Sequence, residues 1–247
     1  MVHCLVPCAT ATHKLNAMLL REAKWFATRM QGLDDQSLFP LLNLGSQTGR
    51  FRKTEQPWLE RYIFQPLQRR GGNIVHSDMQ VGEGIDLSGD LSDPAFRQRL
   101  RDMRFQSIIC SNLLEHVANR EEFVRYITPI LPVGGLLFVS VPFQFPYHPD
   151  PIDTLYRPTP DELAAQFSGM EIVDRAIVNC GTYSFYLMTS FCWSPLRFFG
   201  KFLPKPKKTP TPGAATDAGS PVKRLLPWLV RRFRTSCVIL RKTSEAS

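Results

Sequence analysis

Three short stretches of this chain hold residue types that do chemistry. The first, Asn43-Leu44-Gly45-Ser46-Gln47-Thr48-Gly49, follows an apolar run. Glycine at such a point lets the backbone turn sharply and come close to a ligand. The second, Ser111-Asn112-Leu113-Leu114-Glu115-His116-Val117, follows another apolar run. The third is Pro146-Tyr147-His148-Pro149-Asp150-Pro151-Ile152-Asp153, which runs into Tyr156-Arg157-Pro158-Thr159. Between the first two lie Asp78 and the pair Asp90-Leu91. A carboxylate at the end of a strand, such as Asp78, can accept both hydroxyl hydrogens of a ribose. Asp90 is placed to accept from an exocyclic amine, with Leu91 beside the ring. An Asp at a strand end also serves as a helix N-cap, which is the plainer role.

His116 and His148 are the groups able to take a proton from a hydroxyl. Each also has a purely structural role open to it, as a hydrogen-bonded packing residue. Arg157 and Asp153 could bind a polar or anionic acceptor, since a guanidinium pairs well with carboxylate or phosphate. Equally, the two could fix their own loop as an ion pair. His3, Cys4, Cys8 and His13 form a loose group without a standard zinc spacing.

The elements that must position these residues alternate. Residues 14–31 read as an amphipathic helix, with Leu15, Met18, Leu19, Trp25, Phe26 and Met30 at helical spacing. Phe39–Leu44 reads as a buried strand closed by Gly45. Pro57–Arg70 reads as a helix stopped by Gly71-Gly72. A second strand, from Asn73, ends at Asp78; the helix 93–104 and the strand Phe105–Cys110 follow. The helix Arg120–Leu131, opened by His116, leads to the strand Leu136–Val141. Beyond a loop at 143–158 come a helix at 159–167 and a strand at 170–178. Because the middle strands are continuous apolar runs, they indicate a parallel sheet buried on both faces. The expected fold class is therefore α/β: a Rossmann-like, open, mostly parallel twisted sheet with helices on both faces.

The composition of 247 residues, 43% hydrophobic and 21% charged, excludes whole-chain disorder and fibrous architectures. Six scattered cysteines with no C-x-x-C pair argue against a disulfide scaffold and for a reducing compartment. The net charge of +8 is unevenly spread: residues 1–174 hold 17 Lys/Arg against 20 Asp/Glu, residues 175–247 hold 13 against 2. Such a tail suits an anionic surface. Pro204–Pro221 reads as a flexible linker. Around it, Phe185, Tyr186, Phe191, Trp193, Phe198, Phe199, Phe202 and Trp228 stand close to Lys201, Lys205, Lys207 and Lys208. Val222–Phe233 puts Val222, Leu225, Leu226, Leu229 and Phe233 on one side, as an amphipathic segment. Two readings stand: a lid on the core, or an interfacial element on an anionic membrane through residues 185–234. Nucleic acid is a poorer partner, since no recognition module is present. Ser236–Arg241 reads as a last strand. The expected organisation is an N-terminal helical segment (1–37), an α/β core (38–180), an aromatic, basic lid or insertion (181–234) with its linker at 204–221, and a closing strand and tail (235–247). No secretory leader is read at the N-terminus, so a cytoplasmic location is expected, with peripheral membrane association open.

Taken in order, these residues resemble the class I S-adenosylmethionine-dependent methyltransferases over roughly 38–178. The stretch from Phe105-Gln106-Ser107 to Glu115-His116-Val117, followed by Leu131-Pro132-Val133-Gly134-Gly135-Leu136 and on to Pro142, carries most of the resemblance. It implies S-adenosylmethionine as cofactor. Gly45, Ser46 and Gly49 would face its methionine end, Asp78 its ribose, Asp90 and Leu91 its adenine, and Asn112 its methionine moiety. It implies methyl transfer to a small-molecule or lipid- or glycan-linked acceptor, at oxygen, with His148 and His116 catalytic and Asp153, Tyr156 and Arg157 binding the acceptor. Two positions depart from the family pattern: Asn43 stands where an acid is usual, and Gln47 where a glycine is usual. They keep open a second reading, a catalytically inactive binding or scaffold protein. Glu115 and His116 with a distant His148 could make a carboxylate–imidazole site for a divalent ion. Metal-binding relatives carry a further acid where Asn112 stands, and no metal is assigned from the sequence.

Overall fold

The computed structural model describes residues 18–148, 152–193 and 226–244, with side chains of 189–193 left aside. The expected linker 204–221, residues 14–17 of the first helix, and Phe198, Phe199, Phe202 and the nearby lysines lie outside the described residues.

In chain order the chain forms α1 (Leu20–Gln31), α2 (Asp35–Leu38) and β1 (Leu41–Leu44). A π-helical turn, Phe51–Glu55, precedes α3 (Pro57–Leu59), which runs through a second π-helical stretch into α4 (Gln65–Arg69). Then come β2 (Ile74–Asp78), β3 (Leu87–Ser88), α5 (Pro94–Asp102) and β4 (Ser107–Ser111). They are followed by α6 (Arg120–Ile127), β5 (Leu136–Gln144), α7 (Pro160–Ala164), β6 (Met170–Thr182), α8 (Tyr183–Trp193) and β7 (Arg232–Lys242). One seven-stranded sheet results, in the order β3-β2-β1-β4-β5-β7-β6. The first five strands pair in parallel, and β7 lies antiparallel between β5 and β6.

Successive side chains of a strand point to opposite faces, and both faces of this sheet are covered. Leu42, Ile108, Leu137 and Val238 pack with Phe96 and Leu100 of α5 and Val124 and Ile127 of α6. Their chain neighbours Leu41, Ile109, Phe138 and Ile239 pack on the other face with Phe26 and Met30 of α1 and Ile63 and Phe64. This is the physical reason for the continuous apolar runs. A strand with one wet face would alternate.

The structure corrects three expectations. His116 does not open the helix after β4; it lies in a short 3-10 turn, Leu114–His116, and α6 begins at Arg120. Of the described part of Val222–Phe233, only Leu226–Leu229 is helical, as one 3-10 turn. Phe233 belongs to β7, which begins at Arg232 rather than near Ser236 and pairs with β6 as far as Thr182. Backbone pairing to two neighbouring strands, with Phe233, Thr235 and Cys237 facing inward, outweighs the helical spacing of the leucines. The strand after the helix at 160–164 also runs longer, to Thr182. Among the described residues no helix is long and apolar enough to cross a membrane.

Candidate functional site

In an open parallel sheet, loops at the carboxyl ends of the strands meet on one edge, and ligands bind there. Most of the expected site residues stand on that edge.

After β1 the chain turns at Gly45 with φ +69, and a side chain there would meet Leu113 at 3.2 Å. Ser46 is buried and held in place: its N–H donates to Ser77 O and its hydroxyl to Gln47 O. Gln47, with φ +55, takes the left-handed conformation that glycine adopts at lower cost. Its N–H donates to Asp78 Oδ2 at 2.8 Å, while its side chain is exposed and accepts from Gln80 Nε2 at 3.3 Å. The Gln47 side chain therefore leaves the turn instead of filling it. Gly49 faces a different neighbour: its N–H donates to Glu83 O at 2.6 Å, and a Cβ there would meet Gly84 Cα at 3.2 Å. Beneath this turn lies Arg52, which sequence reasoning missed. It is buried, donates to Ser46 O, Gln47 O and Gly84 O, and sits 3.5 Å from Glu60. Nothing in a Phe-Arg-Lys run distinguishes a buried arginine from a solvated one.

Asp78 ends β2. Its Oδ2 accepts from Gln47 and its Oδ1 from Gln80 N–H at 3.2 Å. Asn43 turns away from this edge and donates to His76 Nδ1, 3.0 Å away across the β1–β2 pair. Burial lowers the His76 ring to about 4, with Arg52 adding to the effect, so the ring is neutral. Asp90 is exposed and accepts from Ser92 N–H, close to Asp78, whose carbonyl accepts from Gly89. Leu91 is buried and turns its side chain into the core beside Phe96.

Beyond β4, Asn112 has φ +48 and donates its N–H to Ser140 O. Its side-chain amide donates to Glu22 Oε1 at 2.9 Å, and Ser140 Oγ donates to the same oxygen at 2.6 Å. Glu22 Oε2 accepts from Leu19 N–H. Burial raises Glu22 to about 7 against the effect of those hydrogen bonds. The signal for Glu22 was present in the sequence: it stands four residues after Met18 and four before Phe26, a lone acid on the apolar face of α1.

The second group of residues lies between the turn after β4 and the loop after β5. Thr154 donates to Glu115 O through both its N–H and its hydroxyl, 2.9 Å each, and so ties the two segments together. Glu115, His116 and His148 each offer one ligand atom, all within 4.8 Å of one another. His116 Nε2 is 3.8 Å from Glu115 Oε1, and its Nδ1 lies 2.5 Å from Ile152 O. His148 is buried with its Nδ1 3.1 Å from Asp153 Oδ2 and 3.2 Å from Pro146 O. Burial pushes Glu115 up to about 8, and burial also lowers the His148 ring.

Asp153 and Arg157, expected to meet the acceptor, are joined to each other: Arg157 donates to both carboxylate oxygens, at 3.0 and 2.6 Å. Although burial alone would raise Asp153, Arg157 and the N–H groups of His148 and Leu155 bring its carboxyl below the ordinary range. Asp153 thus holds His148 in place. Tyr156 lies under the Arg120 guanidinium, 4.3 Å from its ring centre, and its hydroxyl is buried.

No family model matches the sequence, and no curated protein matches it. Among solved structures the chain is similar to the MccD protein, with TM-score 0.51 at 14% identity over 90% of this chain and 97% of that one. It is also similar to coclaurine N-methyltransferase bound to N-methylheliamine and SAH, with TM-score 0.47 at 15% identity over 89% and 69% of the two chains. A third likeness is to the glycopeptide N-methyltransferase MtfA complexed with S-adenosyl-L-methionine, with TM-score 0.43 at 17% identity over 72% and 92%. At 14% identity the likeness to the MccD protein speaks of fold alone, and the strand order agrees: five parallel strands, then a seventh running antiparallel between the fifth and sixth, which is the class I methyltransferase fold.

Proposed function

We propose that this protein is an S-adenosylmethionine-dependent methyltransferase acting at oxygen on a small-molecule or lipid- or glycan-linked acceptor. The observation that carries the reading is the Asp78 carboxylate, fixed by two backbone N–H groups directly beside the Gly45–Gln47 turn. A carboxylate has about four lone-pair sites, so two remain for the hydroxyls of a ribose. The residues fit the cofactor in two further respects. Gly45 keeps the turn free of a side chain, and exposed Asp90 lies next along the same edge. When bound, S-adenosylmethionine supplies an activated methyl group, which the acceptor oxygen takes as the carbon–sulfur bond breaks.

The chain's own residues do the rest. Gly45, Ser46, Gly49, Asp78, Asp90, Leu91 and Asn112 form the cofactor edge, some through backbone. Alignment of the two reactants supplies much of the rate. His148 and His116 are the catalytic groups, and the hydroxyl proton passes to His148 Nε2, whose ring is held by Asp153. Tyr156 and Arg157 border the acceptor's place. Peripheral contact with an anionic membrane through 185–234 belongs to the same reading. It is supported by exposed Met188, Leu226 and Val230 and by the basic excess of the tail.

Calorimetric titration with S-adenosylmethionine and S-adenosylhomocysteine tests the proposal. Micromolar binding is expected, weakened about tenfold or more by Asp78→Ala, since a hydrogen bond to a charged group contributes about 1.5–3 kcal/mol. No binding of either compound overturns the reading. Binding without turnover on any hydroxyl acceptor, followed with methyl-labelled cofactor, hands the lead to the inactive binding protein.

A further inference from the structure

The hydrogen bonds around His116 and His148 fix what their other nitrogens offer. His116 Nδ1 faces the carbonyl of Ile152, which only accepts, so Nδ1 carries the hydrogen. His148 Nδ1 faces the Pro146 carbonyl and the Asp153 carboxylate, again acceptors only. In the neutral rings both Nε2 atoms therefore present lone pairs. The third member of the group, Glu115, is 0% exposed. Both its carboxylate oxygens, and His148 Nε2, are buried without a hydrogen-bond partner. Three lone-pair donors thus converge, all within 4.8 Å of one another. A buried carboxylate facing two acceptor nitrogens is costly unless a cation joins them.

We propose that Glu115, His116 and His148 bind a divalent transition-metal ion. The donor set, one carboxylate and two imidazoles, suits zinc, iron(II) or manganese and leaves coordination positions open. It is too nitrogen-rich for the all-oxygen sites of calcium and magnesium. Each imidazole already has the outer partner that metal-bound histidines use to fix their tautomer: Ile152 O for His116, and Asp153 with Pro146 O for His148. Donors around a tetrahedral ion with bonds of about 2.1 Å lie roughly 3.4 Å apart. The His116–Glu115 separation of 3.8 Å is within a few tenths of that, and all three ligand atoms lie within 4.8 Å of one another.

The ion rests on the methyltransferase reading only for its use. In that setting an open position takes the acceptor's oxygen, and the ion favours loss of its proton to water. His148 then holds the metal instead of receiving the proton. Binding of the ion itself stands without that reading.

The test uses the full chain stripped with a chelator and titrated with manganese(II), followed by the loss of the free-ion electron paramagnetic resonance signal. Manganese is chosen because a hard ion leaves cysteine thiolates alone. One ion per chain is expected, with affinity reduced at least about tenfold in Glu115→Gln and in His148→Ala. Glu115→Gln keeps the size of the side chain, and circular dichroism of both variants identifies a folding failure. Two results overturn the site: no stoichiometric binding, or binding of equal strength in both folded variants. In the latter case the ion sits elsewhere, and the cluster holds only a proton shared between Glu115 and His116. Titration of the metal-free wild type with S-adenosylmethionine is run in parallel. If it shows no binding while the ion site is intact, the methyltransferase reading fails and the metal site remains.

Discussion

Replacing Glu22 by glutamine changes stability in a direction that depends on pH. Burial raises the Glu22 carboxyl from 4.5 to about 7. Below pH 4.5 the folded and unfolded chains both hold the proton. Between 4.5 and 7 the unfolded carboxyl ionises while the folded one keeps its proton. The folded state then binds more protons, and stability falls as pH rises. Above about 7 the loss is complete. A shift of this size corresponds to about 3 kcal/mol, at about 1.4 kcal/mol per pH unit. The glutamine of the variant would not titrate. Its carbonyl can still accept from Asn112 and Ser140, but its NH2 would face the Leu19 N–H that Glu22 Oε2 now accepts from. One lost hydrogen bond costs about 1 kcal/mol.

At pH 5 the wild type has already lost about 0.8 kcal/mol of this, so the Glu22→Gln variant is expected to lie within about 0.5 kcal/mol of it. At pH 8.5 the variant is expected to be about 2 kcal/mol more stable. Urea unfolding of both proteins at both pH values measures this. The other ionisable groups that influence Glu22 are Glu115, Cys180, Cys237 and Tyr186. They occur in both proteins and largely cancel in the difference. The thiols and the phenol are all raised by burial and stay neutral in this range. A difference that is the same at both pH values, within about 0.5 kcal/mol, refutes the argument that Glu22 is buried as the acid.

Four further outcomes are expected. Gly84→Ala puts a Cβ 2.8 Å from Gly49 Cα at φ +72 and should cost about 1–3 kcal/mol, with weaker cofactor binding as the loop lifts; a melting temperature unchanged from wild type would contradict the packing. Gly71→Ala, at φ +79 with open space around it, should by comparison cost only the left-handed backbone term of about 1 kcal/mol. Asp153→Asn breaks a buried pair and should destabilise by about 3 kcal/mol; in a double-mutant cycle with Arg157→Gln the two losses should add to less than their sum, and strict additivity would deny the coupling. Burial pushes the Cys110 and Cys180 thiols up to about 12 and raises Cys237 as well, so alkylation of the native protein at pH 8, mapped by mass spectrometry, should leave these three unmodified until the chain unfolds.

The sheet was legible in the sequence because burial on both faces leaves a local mark. Leu41-Leu42, Ile108-Ile109 and Leu136-Leu137-Phe138 are apolar at every position, and only a strand covered on both sides needs that. The end of the chain misled for the converse reason. Leu225, Leu226, Leu229 and Phe233 have helical spacing, but the long partner strand β6, which decides that Phe233 is extended, lies some fifty residues away. The site was legible as a set of residue types and not as a set of neighbours. His116 and His148 were singled out by the chemistry of imidazole. Nothing periodic in the sequence tells that the loop after β5 folds back so that Thr154 docks on Glu115.

The two departures from the family pattern acquire a physical meaning that the sequence could not supply. An acid in place of Asn43 would lie against His76, in a buried β1–β2 pair where Arg52 already disfavours an imidazolium. The neutral Asn–His pair fills that place without charge. Gln47 takes the left-handed conformation that glycine adopts at lower cost, and its N–H serves to hold Asp78. Neither residue projects a side chain into the turn at Gly45. A carboxyl does reach the neighbourhood of Asn112, that of Glu22 from α1, and burial, which raises it to about 7, sets how far it carries charge near neutral pH. The consequences of the substitutions at 43 and 47 therefore follow from what Glu22, Asp78 and His76 do around them, and cannot be judged from the two positions alone.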